Sequence, residues 1–280
     1  MKKISKIGIG SVQFGLPYGI SNTKGQTPPE EVAKILDVAF LNGIRIIDTA
    51  SAYGSSESVI GMLHNNRYLL VSKFMPPQEY GSVGEQLTKS LSLLKTDSLY
   101  GYLAHRPLEL LQDATVWKTL QALKSANKIQ KIGFSLNTPE EYKSLTQAGI
   151  IPDLVQVPYN YFDTRFKSIL IKLKANGCEI HTRSAFLQGL FFTDAAKLSP
   201  FFNELKPKLQ YLHEHHKESL HGALLNYVVQ QEFIDIVIMG IETAAQLENN
   251  MHSLDNAPNM EPVEVTFSDE LLMPLHWPKN

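Results

Sequence analysis

Four residues of the chain, Asp48, Tyr53, Lys73 and His105, have the types needed to hand a proton to a carbonyl oxygen. A free phenol, with a pKa of about 10, is a poor acid near neutrality. An ammonium beside it favours the phenolate and lowers that pKa, and a carboxylate beside the ammonium keeps it charged in spite of burial. An imidazole at the same rim can hydrogen-bond the carbonyl oxygen and orient it. Positioned acid chemistry of this kind is typically worth about 10²–10⁴ in rate. The set lacks an electron source. No metal-ligand spacing accompanies it, so the reductant has to be an organic cofactor. Taken singly, Asp48 reads as a strand-end cap and Lys73 as a snorkelling surface lysine; only the combination points to chemistry.

Such a set needs a scaffold that brings distant positions together. Eight short apolar runs recur along the chain: Lys6–Gly10, Ile44–Asp48, Tyr68–Phe74, Leu99–His105, Gln130–Ser135, Leu154–Pro158, Glu179–Ser184 and Ile234–Gly240. Each reads as a buried strand with polar chemistry at its C-terminal end. The segments between them carry helical periodicity. Thr27-Pro28-Pro29-Glu30 reads as a cap, a proline start and an acidic first turn, and Asn42-Gly43 as the stop of the same helix. Ser56–Leu63, Val83–Leu94, Thr115–Ala126, a helix opened by Thr138-Pro139-Glu140-Glu141, Arg165–Asn176 and Ala244–Leu254 follow. The stretch from Phe191 to Glu218 is longer and irregular, and is the place for an insertion.

Strict alternation of strand and helix implies a parallel sheet with right-handed crossovers. Eight units in one chain of 280 residues match a closed α/β barrel, the (β/α)8 or TIM barrel, read as one domain over residues 1–280. The first strand is not followed by a G-x-G-x-x-G turn, which counts against an open dinucleotide-binding sheet. In a barrel the site lies at the C-terminal strand ends. Asp48, Lys73 and His105 then stand on neighbouring strands, with Tyr53 in the loop just after Asp48.

The stretch Asp48–Glu57 (D-T-A-S-A-Y-G-S-S-E), V-S-K ending at Lys73 and L-A-H-R-P containing His105 resemble the aldo-keto reductase superfamily. The resemblance runs from Gly8–Gly15 to Gln246–Asn250. It implies a (β/α)8 barrel that reduces a small-molecule carbonyl with NADPH or NADH. Tyr53 would be the general acid, tuned by Lys73, with Asp48 holding Lys73 and His105 orienting the carbonyl. It further implies that Ser135 and Gln156 contact the nicotinamide amide. Leu136 replaces the asparagine that follows this serine in the family, with Asn137 as a weak substitute. Arg183 stands where many members stack a tyrosine on the nicotinamide ring. The segment containing Gly240, Glu242, Thr243, Gln246 and Asn250 resembles the adenosine-phosphate site, with Asn250 on the adenine. The cations that clamp a 2′-phosphate in many members are here Gly240 and Gln246, and Glu242 adds a negative charge. NADPH selectivity is therefore expected to be weakened and NADH to be usable.

The remaining composition excludes several classes. A formal net charge of −2, with Lys and Arg spread along the chain, points to neither nucleic acid nor an anionic membrane. No run of about 18 uncharged apolar residues marks a membrane span, and no apolar run follows the basic N-terminus to make a signal peptide. A cytoplasmic location is expected. The one cysteine, Cys178, cannot form an intrachain disulfide and reads as a small buried hydrophobe. His213, His215, His216 and His221 are interrupted by Glu214, Lys217 and Glu218, as on a solvated helix, so no metal is expected. Trp117 reads as core. Tyr159 and Tyr161 read first as packing, with pocket lining as the alternative. Arg106, Asn160 and Arg183 lean the substrate toward a polar, sugar-like carbonyl. The tail from Val265 to Asn280, with Trp277, is expected over the barrel mouth. Two other functions compete: a lyase or aldolase with Lys73 as a Schiff-base amine, and a non-catalytic nicotinamide-binding regulatory subunit. The sequence leaves the oligomeric state open.

Overall fold

A computed structural model describes residues 3–19, 22, 24–263 and 266–278. Val265 and Asn280, which bound the tail named above, lie outside the described residues. Eight parallel strands close into a barrel in sequence order: β1 (Ile7–Gly10), β2 (Ile46–Asp48), β3 (Leu69–Phe74), β4 (Leu99–Ala104), β5 (Ile129–Ser135), β6 (Leu154–Pro158), β7 (Glu179–Arg183) and β8 (Ile236–Gly240). The last strand pairs with the first, Gly10 opposite Gly240. The expected (β/α)8 architecture is therefore the observed one. Ile44, Tyr68 and Ile234 lie outside the ladder, although all three are buried.

Twelve α-helices among the described residues cover the barrel and its ends. They are α1 (Val12–Gly15), α2 (Pro29–Leu41), α3 (Ser56–Leu63), α4 (Pro77–Tyr80), α5 (Val83–Leu94) and α6 (Ala114–Ser125), then α7 (Pro139–Gln147), α8 (Lys167–Ala175), α9 (Lys206–His216), α10 (Leu220–Val229), α11 (Ala244–Asp255) and α12 (Asp269–Leu272). Capping boxes open two of them: Ser82 with Glu85 before α5, and Thr138 with Glu141 before α7. Thr27 does not cap α2. Pro28 holds that position with Pro29 in the first turn, while Thr27 is buried. The irregular stretch after β7 is a series of short 3-10 turns followed by α9. Two histidines of this region make internal contacts: His213 Nε2 lies 2.7 Å from Phe191 O, and His221 of α10 stacks on Phe192 at 3.6 Å, whereas His215 is exposed.

Side chains alternate across each strand. Outward residues such as Ile47, Leu70, Tyr102, Phe134, Val155 and Ile180 pack in the large core. Inward residues Ile46, Val71, Leu103, Leu154 and Ile238 form a separate apolar plug inside the barrel. Asp48, Lys73, His105, Gln156 and Gly240 each lie two residues beyond one of these plug residues. The alternation that fills the barrel therefore aims the next inward position at the mouth. Below the plug, Glu179 accepts from Tyr100 (2.6 Å) and Lys131 and lies 2.7 Å from His181 Nε2. These three partners hold its carboxyl down at about 2 against the opposing effect of burial.

The tail packs on the loops beyond β6 and β7: Phe267 meets Phe162 and Trp277 meets Phe202. No described helix is long and apolar enough to cross a membrane.

Candidate active site

The loop from Thr49 to Ser55 carries Tyr53, and its shape is fixed by backbone and hydroxyl contacts. Thr49 N donates to Val71 O at 2.8 Å and Ser51 N to Lys73 O at 3.0 Å, which ties the loop to β3. Ser56 Oγ lies 2.8 Å from Ser11 Oγ and 3.1 Å from Thr49 Oγ1, and Ser11 Oγ donates to Asp48 O at 2.8 Å. All three hydroxyl residues are fully buried. From the other side the chain after β1 presses on the loop: a methyl group at Gly15 would lie 1.8 Å from Tyr53 O. Gly54 answers it, with φ at +56° and its own Cβ direction blocked by Gly15 O.

Lys73 is fully buried. Its Nζ donates to Asp48 Oδ2 at 2.6 Å and to Thr49 O at 2.9 Å. It lies 5.1 Å from the Tyr53 ring centroid, with the phenol hydroxyl as a further partner. Burial alone would depress the lysine; Asp48 and Tyr53 outweigh it and hold Lys73 above its ordinary value, as an ammonium. Gln156 Nε2 donates to the other carboxylate oxygen, Asp48 Oδ1, at 2.7 Å. His105 meets the Tyr53 ring edge-on, centroids 5.8 Å apart at 86°. Burial, then the charges of Lys73, Arg183 and Arg106, push its imidazole down to about 3. It is therefore neutral at physiological pH, and its buried Nδ1 has no partner among the described residues. Asp48, Tyr53, Lys73 and His105 thus lie together at the barrel mouth.

The other singled-out residues fall into two groups. Ser135 ends β5 in register with Gln156. Arg183 ends β7, and its Nη2 donates to Leu136 O (3.0 Å) and Asn137 Oδ1 (2.6 Å). Asn137 is thereby committed to the arginine, and Leu136 is buried in the outer core. Gly240, Glu242, Thr243, Gln246 and Asn250 lie along β8 and α11. Thr243 caps α11 through Gln246 N, and Gln246 Oε1 takes the Glu242 amide at 2.8 Å. Asn250 is buried on the same helix. A cavity of about 320 Å³ opens beside them, lined in part by Lys24, Glu31, Lys34, Glu242 and Thr243.

One sequence-based reading changes, that of Asn160, and the packing readings of Tyr159, Tyr161 and Cys178 hold. Asn160 does not face a substrate, because its Oδ1 accepts from the Phe162 and Asp163 amides and its Nδ2 donates to Ser184 O. Tyr159 is core, stacked on Tyr227, and Tyr161 packs edge-on against the same ring. Cys178 is buried just before β7, its thiol pushed up to about 12 by burial. Four contributors escaped the sequence. Tyr18 is a second phenol near Tyr53 and accepts from Gln188 Nε2 at 2.6 Å. Glu31 Oε1 accepts from Ala244 N, the first amide of α11, at 2.9 Å. Gln13 is buried with Oε1 unpartnered among the described residues, and its side chain occupies the space that a methyl at Gly240 would need. Gly15 shapes the Tyr53 loop. Only Gly15 and Gln13 had a signal, the glycine-flanked run Gly8–Gly15; Tyr18 and Glu31 meet their partners only through the closed ring.

Comparison with known proteins gives concordant findings. The model of the aldo/keto reductase family matches residues 6–265. An aldo-keto reductase of Mycobacterium sp. (strain KMS) is 30% identical over 140 residues, covering 47% of this chain and 51% of that protein. A 6-dehydroglucose reductase of Novosphingobium aromaticivorans is 27% identical over 161 residues, 50% of this chain and 52% of that protein. The chain thus spans about half the length of the curated relatives it matches. An aldo-keto reductase from Bacillus halodurans, solved in its holo form, superposes with a TM-score of 0.72 at 20% identity, covering 91% of this chain and 88% of that one. At that identity the likeness speaks for the fold.

Proposed function

The chain belongs to the aldo-keto reductase family, and from that premise we propose that it reduces an aldehyde or ketone to an alcohol with a nicotinamide cofactor, Tyr53 giving the proton. The observation that carries the reading is the fully buried Lys73 ammonium, held between Asp48 and Thr49 O and adjoining the Tyr53 phenol. A bound NADH or NADPH supplies the hydride. The Tyr53 hydroxyl gives its proton to the carbonyl oxygen as charge develops there, and Lys73 stabilises the phenolate that remains. Asp48 keeps Lys73 charged and Gln156 keeps Asp48 in place. His105, neutral, hydrogen-bonds the carbonyl oxygen without competing as the acid.

The residues present fit a dinucleotide along one side of the mouth. Ser135, Gln156 and Arg183 face its nicotinamide end. Gly240, Glu242, Thr243, Gln246 and Asn250 serve the adenosine end beside the rim cavity. The unpartnered Gln13 Oε1, buried next to Gly240, is an acceptor in want of a donor. A helix N-terminus attracts anions, but Glu31 already takes the first amide of α11, and Lys34 is paired with Glu31 at 3.2 Å. An additional phosphate there would meet Glu31 and Glu242, so NADH serves at least as well as NADPH.

Turnover of a panel of simple and sugar-like aldehydes, followed by loss of reduced-nicotinamide absorbance, tests the reading. The name of the Novosphingobium relative favours including sugar-derived carbonyls. Cofactor binding without turnover of any aldehyde would favour the regulatory subunit. A Schiff base at Lys73 needs a neutral amine. The 2.6 Å pair with Asp48 opposes that, and borohydride with a carbonyl ligand is expected to trap nothing.

A further inference from the structure

The charges at the mouth do not balance. Asp48 and Lys73 cancel within their own buried pair. Arg183 has no such partner: among the described residues no carboxylate lies within ion-pair distance of it. Its position is nonetheless fixed. By reaching from β7 to Leu136 O and Asn137 at the end of β5, the guanidinium spans the end of β6, the strand that sends Gln156 to Asp48. Both bonds use Nη2. Nη1 has only a 3.5 Å contact with Ser184 Oγ, so the other edge of the fork retains donors. The charge of Arg183 is felt at His105 and, across the mouth, at Tyr18. Arg106 directly follows His105, is 56% exposed and lies 3.6 Å from Glu79, a loose surface pair.

A cation fixed at a site without a counter-charge is stabilised when a ligand brings one, and a planar fork matches carboxylate and phosphate oxygens. We infer that the carbonyl compound reduced here carries an anionic group, a carboxylate or a phosphate, bound by the free edge of Arg183 with Arg106 assisting at the outer rim. The inference rests on the reductase reading above. It is compatible with Arg183 flanking the nicotinamide, since a guanidinium stacks by its face and donates by its edge.

The test compares matched substrates with the wild-type protein and its preferred cofactor: 4-oxobutanoate against its methyl ester, and glyceraldehyde 3-phosphate against glyceraldehyde. A charge-assisted hydrogen bond predicts that kcat/KM for at least one anionic member exceeds its neutral partner by about tenfold or more, and that the ratio shrinks with added salt. Whichever arm shows the preference identifies the anion. Arg183→Gln should bring the ratio close to one and Arg183→Lys should restore part of it, while Arg106→Gln lowers it less. In parallel, calorimetry compares butanoate with butanamide as non-reducible ligands. Reduction of both members of each pair with equal kcat/KM, unchanged in Arg183→Gln, overturns the anion inference and leaves the reductase intact. Arg183-dependent binding of butanoate without reduction of any aldehyde does the opposite.

Discussion

Gln156 and Lys73 hold the two oxygens of one buried carboxylate: Gln156 Nε2 is 2.7 Å from Asp48 Oδ1 and Lys73 Nζ is 2.6 Å from Asp48 Oδ2. Asp48 therefore cannot rotate without breaking a buried bond, and the lysine it orients is fixed in turn. Gln156 thus braces Asp48, a role apart from the cofactor contact proposed for it.

Gln156→Leu should lower kcat by about tenfold, since an unmet hydrogen bond to a buried carboxylate costs roughly 1.5–3 kcal/mol. Steady-state kinetics check it. Loss confined to cofactor affinity, with kcat unchanged, would mean that Gln156 does not position Asp48.

Tyr53→Phe removes the proposed proton donor and little else. Reduction should fall by at least about 10²-fold, the low end for a positioned acid. Cofactor affinity, measured by fluorescence titration, should stay within about twofold.

His105 stays neutral until the pH approaches about 3. Its imidazole resonances should hold steady from neutral pH down to mildly acid solution in an NMR titration. The linkage sign follows from the depressed value. Below about pH 6.5 the unfolded chain binds a proton here that the folded chain refuses, so stability falls as pH drops from there toward 3. A His105 titration midpoint near 6.5 in the folded protein would contradict this.

Glu31→Gln should shift the cofactor balance toward NADPH by removing a carboxylate from the start of α11. Exposed helix-end charges are worth about 0.3–1 kcal/mol, so the ratio of dissociation constants should move by about two- to fivefold. No movement would place the 2′-phosphate elsewhere.

Glu179→Gln is expected to lower stability by about 1–3 kcal/mol, the cost of leaving its buried donors unpaired. The wild-type carboxyl is depressed to about 2, so its contribution is present above the usual carboxylate range and fades as pH falls from about 4.5 toward 2. Chemical denaturation at neutral and acid pH should show the wild type and variant converging at low pH.

Much of the barrel was legible because period-two burial and helical spacing are local signals. The residues of the candidate site shared that legibility: each of Asp48, Lys73 and His105 continues the inward phase of its strand past the plug. Strand edges moved by one or two residues because ladder bonds, unlike burial, end where the ring partner ends. The partnerships were not legible. Thr27 was displaced as a cap by its neighbour Pro28 and Asn160 turned to the amides of its own loop, while Asn137 was taken by Arg183, distant in sequence. Glu31 and Ala244 are 213 residues apart and meet only because α2 and α11 lie side by side where the ring closes.

The hydroxyl stitching of Ser11, Thr49 and Ser56 has a consequence for how such a protein can change. Together with the backbone ties from Thr49 and Ser51 to β3, it joins the β1, β2 and β3 units into one sector that carries Tyr53, Lys73 and Asp48. Arg183 and Gln188 belong to the opposite arc, beyond β7, with no share in those ties. New partners for catalysis can accordingly be selected by remodelling the far arc while the proton-handling sector is inherited whole.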